Sequence, residues 1–181
     1  MALFTKQELR ARAARDYASY RAGTVLLEAA KSFSPSKKYD VFLSHSFLDA
    51  QEVLGLRLLL EDQGLVVYVD WIDDPTLDRS KVTRDTAAKL RIRMRSCKTL
   101  FYASSPNATT SKWMPWELGY FDGHNGKVAV VPIVDGYETS FSGQEYLSLY
   151  PWIDKAGANL FVNGGPGTTS FQSMRQWLPA A

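Results

Sequence analysis

Apolar and polar positions alternate between two periods along the chain. Tyr39-Asp40-Val41-Phe42-Leu43-Ser44 is a short apolar run of the kind a buried central strand requires, and Leu65-Val66-Val67-Tyr68-Val69, Thr99-Leu100-Phe101-Tyr102-Ala103 and Val128-Ala129-Val130-Val131-Pro132-Ile133-Val134 repeat it. Leu160-Phe161-Val162 is a weaker fifth. Between the strands the period lengthens to that of a helix. Asp49-Ala50-Gln51-Glu52 opens one whose Val53, Leu56 and Leu60 share a face and which Gly64 ends. A second is predicted from about Thr83 to Arg95, a third opens near Trp113 and ends before Gly126, and a short one runs from Ser170 to Leu178.

The first 37 residues read differently. Thr5-Lys6-Gln7-Glu8 has the form of a capping box, and Leu9, Ala13, Tyr17, Tyr20, Thr24 and Leu27 recur at three- and four-residue steps. Ser34-Pro35-Ser36-Lys37-Lys38 is a linker, which divides the chain into an N-terminal helical extension with its linker (1–37) and one α/β domain (38–181). Alternation of strand and helix without an internal repeat predicts a parallel sheet covered on both faces. Ligands of such sheets gather beyond the carboxyl ends of the strands. Ser44-His45-Ser46-Phe47, Asp70-Trp71, the Ser104-Ser105 loop and the start of the Trp113 helix all fall there.

Composition removes several classes of function. With 21 basic and 19 acidic residues, net charge +2, the chain lacks the electrostatic footprint of a nucleic-acid binder. Cys97 is the single cysteine, which excludes an internal disulfide and a thiolate metal cage and suits a small core residue. His45 and His124 match no ligand spacing, and Asp73-Asp74 reads as a solvated loop rather than a cation site. No apolar stretch is long enough to span a bilayer, and Lys6, Glu8 and Arg10 interrupt any signal core, so a cytoplasmic location is expected.

Candidate chemistry concentrates in Ser111-Lys112-Trp113-Met114-Pro115-Trp116-Glu117-Leu118-Gly119-Tyr120. Trp113 and Glu117 lie four apart, one above the other on a helix, which sets an indole beside a lone carboxylate. The simpler reading is a helix start, with Pro115 in the first turn and Glu117 complementing the dipole or closing a capping box. Gly164-Gly165-Pro166-Gly167-Thr168 lacks the lysine of a phosphate loop, Ser44-His45-Ser46 lacks a nucleophile elbow, and the acid cluster of a receiver domain is missing after the first strand.

Taken together, these segments resemble a TIR (Toll/interleukin receptor) domain of the bacterial stand-alone, NAD-consuming type found in Thoeris-like defence proteins. Residues 39–46 resemble the family's opening strand, Tyr68-Val69-Asp70 and the loop after it the second strand and BB loop, Trp113-x-x-x-Glu117 the helix motif of the NAD-consuming members, and residues 131–137 the fourth strand. The resemblance covers about residues 38–178. It implies a flavodoxin-like three-layer α/β fold around a five-stranded parallel sheet. It implies Glu117 as the catalytic acid, Trp113 lining the pocket, and Ser44, His45, Ser46, Phe47 and Asp70, with Trp71 beside it, contacting the dinucleotide. NAD+ is then substrate rather than cofactor. No metal is expected, nor any nucleic-acid or membrane partner. Other copies of the chain are expected to complete the site, with residues 70–80 as the contact, and a separate effector to sense the product.

One carboxylate suffices for this chemistry. Glycoside hydrolysis ordinarily uses two, one of them to protonate the leaving oxygen. Nicotinamide leaves a pyridinium as a neutral molecule, so the protein has only to hold the ribose and stabilise positive charge on its anomeric carbon. Water would give ADP-ribose; an adenine nitrogen or a ribose hydroxyl of the same molecule would give a cyclic isomer. Two other functions compete, a TIR adaptor that only binds other TIR domains and an enzyme like the nucleoside deoxyribosyltransferases, which would leave NAD+ intact.

Overall fold

The computed structural model describes residues 2–20, 37–74, 77, 79–136, 138, 143–164 and 170–178. The strands are β1 (Phe4–Thr5), β2 (Tyr39–Ser44), β3 (Val67–Tyr68), β4 (Cys97–Ser104), β5 (Val128–Val134), β6 (Trp152–Ala156), β7 (Asn159–Asn163) and β8 (Phe171–Ser173). The α-helices are α1 (Lys6–Tyr20), α2 (Ala50–Glu61), α3 (Asp70–Asp73), α4 (Arg84–Arg95), α5 (Met114–His124) and α6 (Met174–Trp177).

Five strands, in the order β3-β2-β4-β5-β6, run parallel, which is the predicted core. Among the described residues the whole sheet has eight strands. The fifth parallel strand is Trp152–Ala156, not Leu160–Val162; the latter lies in β7, which turns back antiparallel to β6. Asp154 and Lys155 interrupt the apolar run of β6; Asp154 is nonetheless buried, because it accepts from Asn163 Nδ2 at 2.8 Å. The predicted C-terminal helix begins later than expected, because residues 171–173 add to the edge as β8 before Ser173 caps α6 with a capping box.

The N-terminal segment is built into this domain as far as it is described. β1 pairs in parallel with the end of β5, Phe4 opposite Ile133, and α1 lies on α2. The helices touch where Gly55 meets the Leu9 carbonyl; a Cβ there would stand 1.9 Å from that oxygen. Arg10 pairs with Glu52 and Arg12 with Asp62 across the contact. The continuation of the predicted helix and most of the linker, residues 21–36, lie outside the described residues.

Strand alternation divides the core into two layers. Val41 and Leu43 of β2, Phe101 and Ala103 of β4, and Ala129, Val131 and Ile133 of β5 pack with α1 and α2. Phe42, Leu100, Tyr102, Val128 and Val130 face the other way, onto Leu90 and Met94 of α4 and Met114, Leu118 and Phe121 of α5. Cys97 is a buried free thiol in that second layer. Consecutive strands diverge on either side of β2, β3 beside it on one side and β4 on the other, so the sheet's switch point lies at the carboxyl ends of β2 and β4. No described helix is long and apolar enough to cross a membrane.

Candidate active site

Glu117 enters the site because Trp113 caps α5 and Pro115 occupies its first turn, where a missing N–H costs no helical hydrogen bond. The Glu117 N–H donates to the Trp113 carbonyl at 2.8 Å, and this turn directs the carboxylate inward against the sheet. Glu117 does not cap its own helix. Its Oε2 accepts from Ser44 Oγ at 2.6 Å and its Oε1 from Arg79 Nη2 at 2.6 Å, and the residue is 0% exposed. Burial pushes the carboxyl above its ordinary range, against the opposing pull of Arg79 and Ser44.

Asp70 opens α3 directly after β3. Its Oδ1 accepts from the Trp71 N–H at 2.8 Å and lies 3.3 Å from His45 Nε2, while Oδ2 accepts from Arg79 Nη1. His45 is oriented from behind by the Leu43 carbonyl, 2.8 Å from Nδ1, so both ring nitrogens face oxygen acceptors. Burial acts against the charge on Asp70, but His45 and Arg79 outweigh it and hold the carboxyl below its usual range. Arg79 is half-buried; desolvation acts against its charge, but Glu117 and Asp70 outweigh that and keep the guanidinium charged.

A cavity of about 780 Å³ opens over this group at the carboxyl rim. His45, Ser46, Phe47, Asp70, Trp71 and Trp113 line it together with Arg79. Ser44 and Glu117 do not reach its wall; Arg79, which does, joins them to it. The indole of Trp113 is turned so that Nε1 donates to the Arg79 carbonyl at 2.9 Å. The rim carries three apolar side chains open to solvent, Phe47 (75% exposed), Leu48 (69%) and Val82 (66%). Asp73 and Asp74 are buried, not part of the solvated loop expected from the sequence, because each has an arginine to pair with. They pair with Arg57 of α2 and Arg93 of α4 and so anchor α3 to the scaffold. Among the described residues, no group of three or more His, Cys, Asp or Glu side chains is placed to hold a metal ion.

All eight residues singled out from the sequence thus lie in or directly behind one cavity. Arg79 was not among them. It sits in a polar loop without periodicity, and its partners are 9 and 38 residues away in the chain, so no local pattern marks it. Pro75, Thr76 and Asp78 of the same loop, Tyr137 of the fourth-strand match, and residues 165–169, which include most of the glycine-rich stretch, lie outside the described residues.

A parallel sheet in this strand order, with an aromatic-and-acid helix start at its switch point, has the organisation expected of a TIR domain. No model of a known protein family matches the chain. It is 56% identical over 135 residues to the probable 3' cyclic ADP-D-ribose synthase ThsB' of Bacillus cereus (strain MSX-D12), covering 74% of this chain and 70% of that protein. It is 31% identical over 85 residues to the putative cyclic ADP-D-ribose synthase TIR2 of Cytobacillus dafuensis, covering 46% of this chain and 22% of that one. A solved TIR domain, that of the Toll-related receptor TRR-2 of Hydra magnipapillata, aligns with 61% of this chain and 78% of its own at 18% identity and a TM-score of 0.46. The chain belongs to the TIR-domain family that ThsB' represents.

Proposed function

We propose that the protein cleaves NAD+ between nicotinamide and ribose and joins the freed anomeric carbon to another atom of the same molecule, giving a cyclic ADP-ribose isomer. The observation that carries this reading is the seat formed by Glu117 and Asp70. Two buried carboxylates close on a flat, delocalised cation at the floor of a cavity at the sheet's switch point. NAD+ presents a cation of that kind, and its transition state places positive charge on the sugar. The names of ThsB' and TIR2, both cyclic ADP-ribose synthases, support the same assignment.

The C1′–N bond breaks with its electron pair passing to the pyridinium nitrogen, so nicotinamide departs neutral and needs no general acid. Glu117 accepts hydrogen bonds from the ribose hydroxyls and stabilises the charge growing on the anomeric carbon. Ser44 holds that carboxylate in place, and the indole of Trp113 bounds the ring. An adenine nitrogen or a ribose hydroxyl then attacks C1′, and one proton is released overall. Excluding water from the cavity favours closure over hydrolysis to ADP-ribose. Copies of the chain would assemble through the 70–80 loop, and the product would act as a defence signal read by a separate effector.

Mass analysis of concentrated protein incubated with NAD+ tests the reading. Nicotinamide and a cyclic product are expected from the wild type, and neither from Glu117→Gln, which keeps the shape and removes the charge. The sealed position of Glu117 is the observation on the side of a non-catalytic TIR adaptor. NAD+ left intact at every protein concentration overturns the cleavage reading, and intact nucleosides in the same assay then decide for the adaptor.

A further inference from the structure

Glu117 has no surface on which a ribose could lie. Both of its oxygens are occupied, and the groups that occupy them are unlike. Ser44 is a neutral donor at the end of a central strand, but Arg79 brings a full positive charge to 2.6 Å. A carboxylate in contact with a guanidinium has lost most of the field with which it would stabilise a cationic sugar, and the loss is greatest where water is excluded. The other arm of the same guanidinium occupies Asp70. With Arg79 in place one guanidinium answers both carboxylates, and His45 also stands beside Asp70; with Arg79 withdrawn Glu117 loses the cation that pairs with it and the two acids open an anionic cleft at the cavity floor.

Resting on the NAD+ reading above, we propose that Arg79 is an internal competitor of the substrate. Its guanidinium fills the seat that the cationic nicotinamide–ribose end requires, and Glu117 meets substrate only after Arg79 has left. The surrounding structure suits a removable occupant. Asp73 and Asp74 tie the chain before Arg79 to α2 and α4, and Thr83 caps α4 after it, its hydroxyl accepting from the Thr86 N–H at 3.1 Å. Ser80, Lys81 and Val82 between these fixed points are exposed. Arg79 therefore adjoins an exposed stretch, residues 80–82, and reaches inward through its side chain, steadied by the Trp113 indole on its carbonyl. Val82 of that segment and Phe47 and Leu48 opposite it form the exposed apolar rim, so anything that covers the rim also acts on the segment carrying Arg79.

Arg79→Ala, with its fold checked by circular dichroism and thermal melting, separates the possibilities. Two readouts are taken, melting in low-millimolar guanidinium chloride and NAD+ consumption. Guanidinium is expected to raise the melting temperature of Arg79→Ala by a few degrees but not that of the wild type or of Arg79→Ala/Glu117→Gln. NAD+ consumption per chain is expected to rise roughly tenfold at protein concentrations where the wild type is slow, and guanidinium is expected to reverse the gain. A fall in kcat/KM with a raised KM overturns the proposal, because Arg79 would then be holding the substrate. Equal guanidinium effects on wild type and variant also overturn it, since no seat would have been vacated. If guanidinium fills the seat in the variant and neither protein consumes NAD+, the cation seat stands and the NAD+ reading fails. Should the alanine variant not fold, Arg79→Gln, which keeps a donor for Glu117 without the charge, takes its place in both measurements.

Discussion

Ser44 and Glu117 are 73 residues apart in the chain and 2.6 Å apart in the fold. The hydroxyl ends the central strand β2, and the carboxylate hangs from the first turn of α5, so this bond joins the sheet to the helix that carries the proposed catalytic group. Ser44→Ala leaves one oxygen of a buried acid without a donor. A loss of about 1.5–3 kcal/mol is expected, read as a lower midpoint in urea, together with slower NAD+ cleavage.

The two carboxyl groups predict opposite responses to pH. Burial raises Glu117 above its unfolded value of 4.5, so its contribution to stability is present below that pH and is lost as pH rises through the folded value. His45 and Arg79, against the effect of burial, depress Asp70 below 3.8, so its contribution is present above that pH and is lost as pH falls through the folded value. Thermal melts across pH are expected to show Glu117→Gln gaining on the wild type as pH rises from 4.5 towards neutral. Asp70→Asn is expected to compare least badly with the wild type in the most acid samples. NAD+ cleavage requires an ionised Glu117, so the acid limb of its rate profile should have a midpoint above 4.5.

Trp113 has two separable duties. Trp113→Phe keeps a ring against the cavity and removes the donor to the Arg79 carbonyl, at an expected cost of about 1 kcal/mol. If Arg79 blocks the site, this variant also consumes NAD+ faster at low protein concentration. Trp113→Ala empties a buried position and is expected to cost about 3–5 kcal/mol, measured by chemical denaturation.

Gly55→Ala tests how far the N-terminal helix belongs to the domain. The new methyl meets the Leu9 backbone, which no rotamer change relieves, so α1 has to move off α2. A loss of about 1–3 kcal/mol and earlier proteolytic cutting within the first 20 residues are expected.

Local spacing carried much of this protein's organisation. The apolar runs of β2, β4 and β5 marked strands buried on both faces of a sheet, and the four-residue interval from Trp113 to Glu117 put an indole and an acid on one side of a helix. Those patterns are legible because strand and helix impose periods of two and 3.6 on neighbouring residues. β6 escaped because its interior includes a buried aspartate whose partner, Asn163, is supplied by the next strand. β1 escaped because two residues are too short to show a period.

What the carboxylate touches was decided by the tertiary structure alone. Whether Glu117 caps its helix, faces the cavity or is sealed depends on where Ser44 and Arg79 arrive, and they come from a strand 73 residues away and a loop 38 residues away. Packing sets those approaches, and an ion pair acts through space with no trace in the spacing of the chain. The sequence determined which residues line the carboxyl rim of the sheet; only the fold determined that an arginine stands between the acid and the cavity.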